Sequence, residues 1–564
     1  MQEQQFDKQV DLVVVGAGAG GMASAMRAHA LGIDVLLIEK SQFFGGSAAL
    51  SGGGVWAPNA PQLVAAGERA APEALVGYLQ AIAPEVDRSR HERYVEEVPK
   101  VMEFLDGQRW FHNAFSWTRG YSDYHPSLPG ASALGRGMWP EPINRKLLGD
   151  DEQYLRVPKP RMRLPRGAWL TSAELHDLLA VRWKGWRGKR MLAVMATRIV
   201  RSRLFGLRMT GAGQALSARL FLSLRDAAVP VWRETPLTSL ISDDDGKIVG
   251  VEALRAGKPF RIGARGGVLL ATGGFDHDPE MRARYQPEID PAWSHGSEDN
   301  VGDGHRAGIQ VGAATDLLDD AWWMPSVVWP DGSVFGGVPD RQYPGQFIVN
   351  GVGQRFVNES CPYTDFGHAQ IENHRTGVSH IPAWMIFDEK AWKRNFILGH
   401  VPGQPMGRWS QVITSAPNLP ELAGKIGVPA DALVATADRF NGFARSGVDE
   451  DFRRGDSAYD RYYGDPSYRN PNLGPVEKPP FYAVPWVPGD LGTKGGLLTD
   501  SDARVLREDG APILGLYATG NVSAAVMGRD YAGPGATIGP AIVFGFVAAA
   551  HVAERVNDPA SAEA

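Results

Sequence analysis

The run Gly16-Ala-Gly18-Ala-Gly-Gly21, with the carboxylate of Glu39 eighteen residues beyond it, carries the clearest chemistry in this 564-residue chain. Glycines at that spacing bring bare backbone N–H groups up to a phosphate, and a carboxylate at that distance accepts from a ribose hydroxyl. Gly16 permits the turn, Gly18 lets backbone approach a pyrophosphate, and Gly21 lets a helix lie close on a strand. Residues 11–15 (DLVVV) predict a short buried strand. A helix of small residues then runs to about Leu31, and residues 34–38 (DVLLI) form a second strand ending at Glu39. Strand, helix, strand and acid together make a β-α-β unit that grips a dinucleotide.

A second glycine cluster, Phe44-Gly-Gly-Ser-Ala-Ala-Leu-Ser-Gly-Gly-Gly54, follows at once. Nicotinamide enzymes have no need of it, whereas flavoproteins lay such a loop along the pyrophosphate and ribityl chain. Gly267-Val-Leu-Leu-Ala-Thr-Gly-Gly274 reads as a strand ending in a flavin-adjacent turn, and Gly515-Leu-Tyr-Ala-Thr-Gly-Asn521 repeats that pattern. Tyr531-Ala-Gly-Pro-Gly-Ala-Thr-Ile-Gly539 then leads into another helix of small residues. The expected fold is α/β (α+β): a discontinuous Rossmann-like FAD-binding domain over 1–284 and 486–564, with a substrate or catalytic domain at 285–485. No second GxGxxG is present for a nicotinamide.

Composition narrows the chemistry further. Glycine makes up 67 residues without a Gly-X-Y period, so the excess serves turns and close approaches. The single cysteine, Cys361, excludes a disulfide framework, a CxxC redox pair and a multi-cysteine metal cluster. No histidine spacing suggests a metal site, and Cys361 reads as a buried, inert thiol. The net charge of −6 argues against nucleic acid as a partner. The uncharged stretch from Tyr531 to Ala553 is long enough to span a membrane, but its glycines and prolines favour a buried helix.

Together these motifs resemble the fumarate reductase and succinate dehydrogenase flavoproteins, and within them the 3-ketosteroid Δ1-dehydrogenases. The marks are FFGGSAALSGGGVW (43–56), SDYHP (122–126), GQRFVNESCPY (353–363), GTKGGLLTD (492–500) and GNVSAAVMGRDYAGPGATIGPA (520–541). The resemblance implies FAD held by Gly16, Ala17, Gly18, Ala19, Gly20 and Gly21, by Glu39, Lys40 and Ser41, and by Gly45, Gly46 and Ser47. It extends the set to Ser51, Gly52, Gly53 and Gly54, to Ala271, Thr272, Gly273 and Asp303, and to Gly520, Asn521, Ala536, Thr537 and Ile538. No histidine lies between Ser41 and Gly54, so the FAD is expected to be non-covalent.

The implied reaction removes a hydride from C1 and a proton from C2 of a 3-ketosteroid such as cholest-4-en-3-one or androst-4-ene-3,17-dione. The resemblance gives Tyr531 O–H and Gly535 N–H the task of polarising the C3 carbonyl, flavin N5 that of taking the hydride, and Tyr363 that of base, assisted by Tyr124. About one tyrosine in 1000 is ionised at pH 7, so something must favour the phenolate, such as a phenol–phenol hydrogen bond or a positive dipole. Three other readings stay open: a ketosteroid Δ4-(5α)-dehydrogenase, a fumarate-reductase-like enzyme, and a non-catalytic flavin-binding protein at a membrane.

Residues 156–208 hold 14 Lys and Arg against only Glu174 and Asp177. Trp169, Trp183 and Trp186 interrupt the run, and Met191, Met195 and Ile199 recur at helical spacing. A basic, amphipathic, tryptophan-bearing insertion over 156–210 is expected to lie on an anionic membrane surface. The insertion resembles that of the longer, membrane-associated members of this family. The chain is therefore expected to be cytoplasmic, peripheral on the inner face of the membrane, and to pass electrons to an external acceptor such as a quinone.

Overall fold

The computed structural model describes residues 5–157, 169–179 and 186–557. Seven strands carry the argument: β1 (Lys8–Val15), β2 (Val35–Ile38), β3 (Lys258–Leu270), β4 (Ala321–Val328), β5 (Ala383–Asp388), β6 (Phe481–Thr493) and β7 (Pro512–Ala518). Seven helices accompany them: α1 (Ala19–Ala30), α2 (Arg88–Asp106), α3 (Ser172–Leu179), α4 (Trp186–Leu204), α5 (Asp303–Gln310), α6 (Tyr363–His374) and α7 (Ile538–Asn557).

Leu12, Val13, Val14 and Val15 of β1 are buried on both faces, as befits a central parallel strand. The sheet order around it is Arg504–Leu506, β7, β3, β1, β2 and Val231–Trp232, with an antiparallel pair of strands folded onto β3. Register then decides where the site lies. Val15 stands opposite Ile38 on one side and Leu270 on the other, and Leu270 stands opposite Ala518. Four strands therefore end level, and Gly16, Glu39, Ala271 and Thr519 emerge side by side at one sheet edge. Ligands of open parallel sheets bind there.

The small residues of α1 and α7 are explained by contact between the two helices. A Cβ on Gly20 would meet the Ala541 carbonyl oxygen at 2.7 Å, and one on Gly545 the Gly20 oxygen at 2.8 Å. By length and composition α7 could cross a membrane, but most of it is buried inside the protein. The helix begins at Ile538, so residues 531–537 precede it as turns rather than belonging to it.

The second sheet, ordered Val334–Gly336, β4, β6, β5 and Gln346–Val349, forms the inserted domain. β6 runs unbroken from Phe481 to Thr493, so the boundary expected at 485/486 falls inside a strand of that sheet. α6 packs directly on β4, where a Cβ at Gly367 would meet the Trp323 Cβ at 2.3 Å.

The basic insertion corrects one expectation. Met191 is buried, and Met195 and Ile199 are only partly exposed, so that stripe faces inward. The apolar side chains left in solvent on and just after α4 are instead Trp186, Leu192, Val200, Leu204 and Phe205. Trp169 lies under the Arg198 guanidinium at 3.8 Å, and Arg198 pairs with Glu174 at 2.6 Å. Trp183 and residues 158–168 lie outside the described residues.

Candidate active site

A single cavity of about 520 Å³ runs from the level strand ends to the tyrosines. Gly18 is the N-cap of α1, whose first-turn N–H groups face it. A Cβ at Gly18 would meet nothing nearer than the Ala271 oxygen at 4.0 Å, so protein packing does not require glycine there. The space such a Cβ would take is the cavity itself. At Gly21 the reason is packing, because its Cβ would fall 2.0 Å from the Gly16 oxygen.

Glu39 fastens the turn as well as facing the cavity. It accepts the Ala17 N–H at 2.7 Å and the Ser41 N–H at 2.9 Å. Burial raises its pKa, and those two N–H groups act against the rise. Lys40 is paired with Asp303, the first residue of α5, at 2.6 Å, which joins two of the expected residues. Thr272 Oγ1 is buried on this wall without a hydrogen-bond partner among the described residues.

Five expected contacts do not line the cavity: Ala17, Gly21, Ser41, Gly45 and Ala536. Ala17 and Gly21 are packed behind the turn. Gly45 is held at φ 102° against Ala49 and Ser217. Ser41 accepts from Arg156 at 3.0 Å, and Ala536 gives its N–H to the Gly533 oxygen. Arg156, Ser297, Asp299 and Asn300, which belong to none of the expected cofactor contacts, also line the cavity. Asn300 and the Ser297 N–H both donate to Ser47 Oγ, at 2.9 and 3.0 Å. The nearby Gly302-Asp-Gly304 run was the one available signal for that loop.

The four proposed catalytic residues converge on the other end of the cavity. Tyr124 is placed by its neighbour Asp123, which accepts Trp56 Nε1–H at 2.9 Å and the Ser132 N–H at 2.9 Å, and pairs with Arg136. Tyr363 opens α6, where the positive end of the helix favours negative charge. Its approach is fixed by Arg341, which donates to the carbonyls of Glu359 and Cys361 at 2.7 and 3.1 Å. Tyr124 O–H donates to the Tyr363 oxygen at 3.0 Å, and the Tyr363 and Tyr531 rings lie 5.5 Å apart. Thr537 Oγ1 donates to the Tyr531 oxygen at 2.7 Å, which leaves that phenol its own hydrogen to give. Gly535 sits at φ 93° with its N–H unclaimed by any acceptor among the described residues. It lies in the turn before α7 rather than at the helix start.

Burial holds Tyr363 well above the ordinary tyrosine range, and the Tyr124 hydrogen bond works the other way. Burial also raises Tyr531, which keeps it a donor. Behind the rings, each tyrosine has an ionisable group within two residues in the chain: His125, Asp365 and Asp530. Their ligand atoms lie within 4.8 Å of one another. Burial acts against a charge on His125, but Asp530 at 2.7 Å and Asp365 outweigh it and raise it to about 9. The cluster is therefore an ion pair at neutral pH rather than a free ligand set. Cys361 is only partly buried by surface, yet its thiol is held well above the ordinary range by desolvation.

The model of the FAD binding domain family matches residues 11–538. A 3-oxosteroid 1-dehydrogenase of Mycobacterium tuberculosis is 43% identical, over 98% of this chain and 99% of that protein. The chain belongs to the 3-oxosteroid 1-dehydrogenase family of FAD-binding flavoproteins. A solved 3-ketosteroid Δ1-dehydrogenase from Sterolibacterium denitrificans, in complex with 1,4-androstadiene-3,17-dione, superposes with a TM-score of 0.90 at 39% identity. The match covers 97% of this chain and 99% of that one. A 4-oxocyclohexanecarboxylate 2-dehydrogenase of Sinomonas cyclohexanicum is 35% identical, over 96% of this chain and 92% of that protein.

The cofactor of this family member is FAD. The residues present fit it: the open Gly18, the unpaired Thr272 hydroxyl and the free N–H groups of α1 offer donors where a pyrophosphate and ribityl chain need them.

Proposed function

We propose that the protein desaturates 3-ketosteroids between C1 and C2, and that Tyr124, Tyr363, Tyr531 and Gly535 carry the proton chemistry. The supporting observation is their convergence on one cavity wall with the Tyr124–Tyr363 hydrogen bond already formed. FAD, held without a covalent link in the glycine cradle, supplies the acceptor for the C1 hydride. Tyr531 O–H and Gly535 N–H hydrogen-bond the C3 carbonyl oxygen, which makes the C2 proton acidic and stabilises the developing enolate charge. Tyr363 takes that proton, with Tyr124 donating to its oxygen. The C1–H and C2–H bonds break as the C1–C2 double bond forms.

The relative that acts on 4-oxocyclohexanecarboxylate also dehydrogenates beside a ring ketone, so the carbonyl-polarising arrangement suits both substrates. The cavity favours the neutral one. Its lining Lys40 and Arg156 are already paired, with Asp303 and Asp299. The substrate end is instead walled by Tyr121, Trp139, Leu175, Phe335 and Phe396. A dicarboxylate would meet the same lack of free cations among the described residues.

α3 gives this pocket a wall with Ser172, Leu175, His176 and Leu179, one helical face, and Tyr343 O–H ties its last carbonyl down at 2.8 Å. Next in the chain, α4 exposes Trp186 (81%) and Phe205 follows it (70%), among exposed Lys189, Arg190, Arg201 and Arg203. These features support a peripheral site on the cytoplasmic face of the membrane, where a poorly soluble sterol enters past α3. A membrane quinone is the electron acceptor that location favours. Anaerobic addition of androst-4-ene-3,17-dione or cholest-4-en-3-one should bleach the flavin and yield the 1,4-diene. No turnover of either 4-ene together with C4–C5 desaturation of a ring-A-saturated 3-ketosteroid, or bleaching only by a dicarboxylate, would overturn the reading.

A further inference from the structure

The wall formed by residues 335–340 and 396–399 carries an ionisable group that the mechanism leaves unused. Asp340 lines the cavity and is fully buried. Its Oδ1 accepts the Leu398 N–H at 2.6 Å, which steadies Leu398 at φ 52°. Its Oδ2 is buried with no hydrogen-bond partner among the described residues. The side chains beside it on this wall, Phe335, Val338, Pro339 and Phe396, are apolar. A buried carboxyl oxygen without a partner is costly, and such a group is retained where a ligand completes it.

Resting on the ketosteroid reading above, we propose that the Asp340 carboxyl is a second polar anchor for the substrate, bonding an oxygen at the end opposite the reacting carbonyl. A rigid polycyclic ketone whose C3 oxygen is held by Tyr531 and Gly535 has one other end to be recognised. Among the described residues Asp340 neither hydrogen-bonds Tyr124, Tyr363 or Tyr531 nor figures among the groups that most shift them, so it stands apart from the reacting end.

The protonation state decides which oxygen it prefers. Burial raises Asp340 to about 7, against the smaller pull of the Leu398 N–H and the Arg341 charge. Arg341 directs its guanidinium to the carbonyls of Gly337, Glu359 and Cys361. Tyr343 stays neutral because burial holds it well above the ordinary range. On the facing loop, His400 sets its Nε2 against the Gln404 oxygen. Below about pH 7 the acid donates to a ketone; above it, the carboxylate only accepts, and so keeps a hydroxyl but loses a ketone.

The test uses holoenzyme and two probes that differ at one oxygen, androst-4-ene-3,17-dione and 17β-hydroxyandrost-4-en-3-one. The ratio of their kcat/KM values cancels the shared base. That ratio should fall about tenfold in favour of the alcohol as pH rises through 7. Asp340→Asn keeps the Leu398 acceptor and presents a permanent donor, so its ratio should stay level and favour the ketone at every pH. A wild-type ratio independent of pH overturns the proposal without needing any variant, and so does an Asp340→Asn ratio that still titrates. Failure of the wild type to turn over either steroid would instead refute the underlying substrate reading.

Discussion

Tyr124 O–H donates to the phenolic oxygen of Tyr363 across 3.0 Å, although 239 residues separate them in the chain. The bond is the one contribution from a neighbouring tyrosine that lowers Tyr363 against burial. It follows that Tyr363→Phe should cut kcat by about 10²–10⁴-fold with FAD content unchanged. Tyr124→Phe should cost less. Rapid-reaction measurement of flavin reduction checks both, and an unimpaired Tyr363→Phe enzyme would remove the proposed base.

The same electrostatics set the pH profile. A base held well above the ordinary tyrosine range is protonated at neutral pH, so the reactive phenolate fraction grows as pH rises. The rate of flavin reduction should climb into the alkaline range and shift further alkaline in Tyr124→Phe. A profile flat from pH 6 upward in both proteins would contradict it.

His125 ties activity to stability. With its folded value raised to about 9 from 6.5, the pair with Asp530 stabilises the fold fully below about pH 6.5. That contribution is lost as pH rises through about 9. The Tm deficit of His125→Asn relative to wild type should therefore be largest near pH 6 and vanish by about pH 10. A deficit independent of pH would show that the imidazolium charge is not what matters.

Two glycines of one motif should fail differently. Gly18→Ala has room within the protein, so it should lower FAD occupancy while leaving the Tm of the flavin-free protein nearly unchanged. Gly21→Ala drives a methyl into the Gly16 carbonyl, so it should lower that Tm itself. Flavin-to-protein absorbance ratios and thermal unfolding separate the two.

Neutralising Lys189, Arg190, Arg201 and Arg203 should weaken binding to anionic liposomes by up to about a thousandfold, at roughly 1 kcal/mol for each charge near the surface. Turnover of a short, soluble ketosteroid should be unaffected. Equal binding by wild type and variant would dismiss the membrane surface as a partner.

The cradle was legible because backbone chemistry writes itself into glycine spacing: Gly18 leaves room to the cavity, while Gly16 and Gly21 leave room to neighbouring backbone. The tyrosines were legible only through resemblance, since three phenols in distant segments carry no local pattern. Helical periodicity found α4 but not its orientation: Met191 turned to the protein, and Leu192 to solvent. Arg156, His176 and Asp340 were missed for a common reason. Each owes its position to packing between segments far apart in the chain, as where Asp340 meets Leu398. The strand Phe481–Thr493 runs through Pro485 and Pro488, which carry no strand signal of their own.

Tyr124 and Tyr531 come from the FAD-binding domain and Tyr363 from the inserted one, so neither half of the chain owns the chemistry. The active site is a seam, and its hydrogen bond doubles as a clasp. On the proposed assignment, base and partner meet only while the two parts stay packed, so that packing is itself a condition of the chemistry.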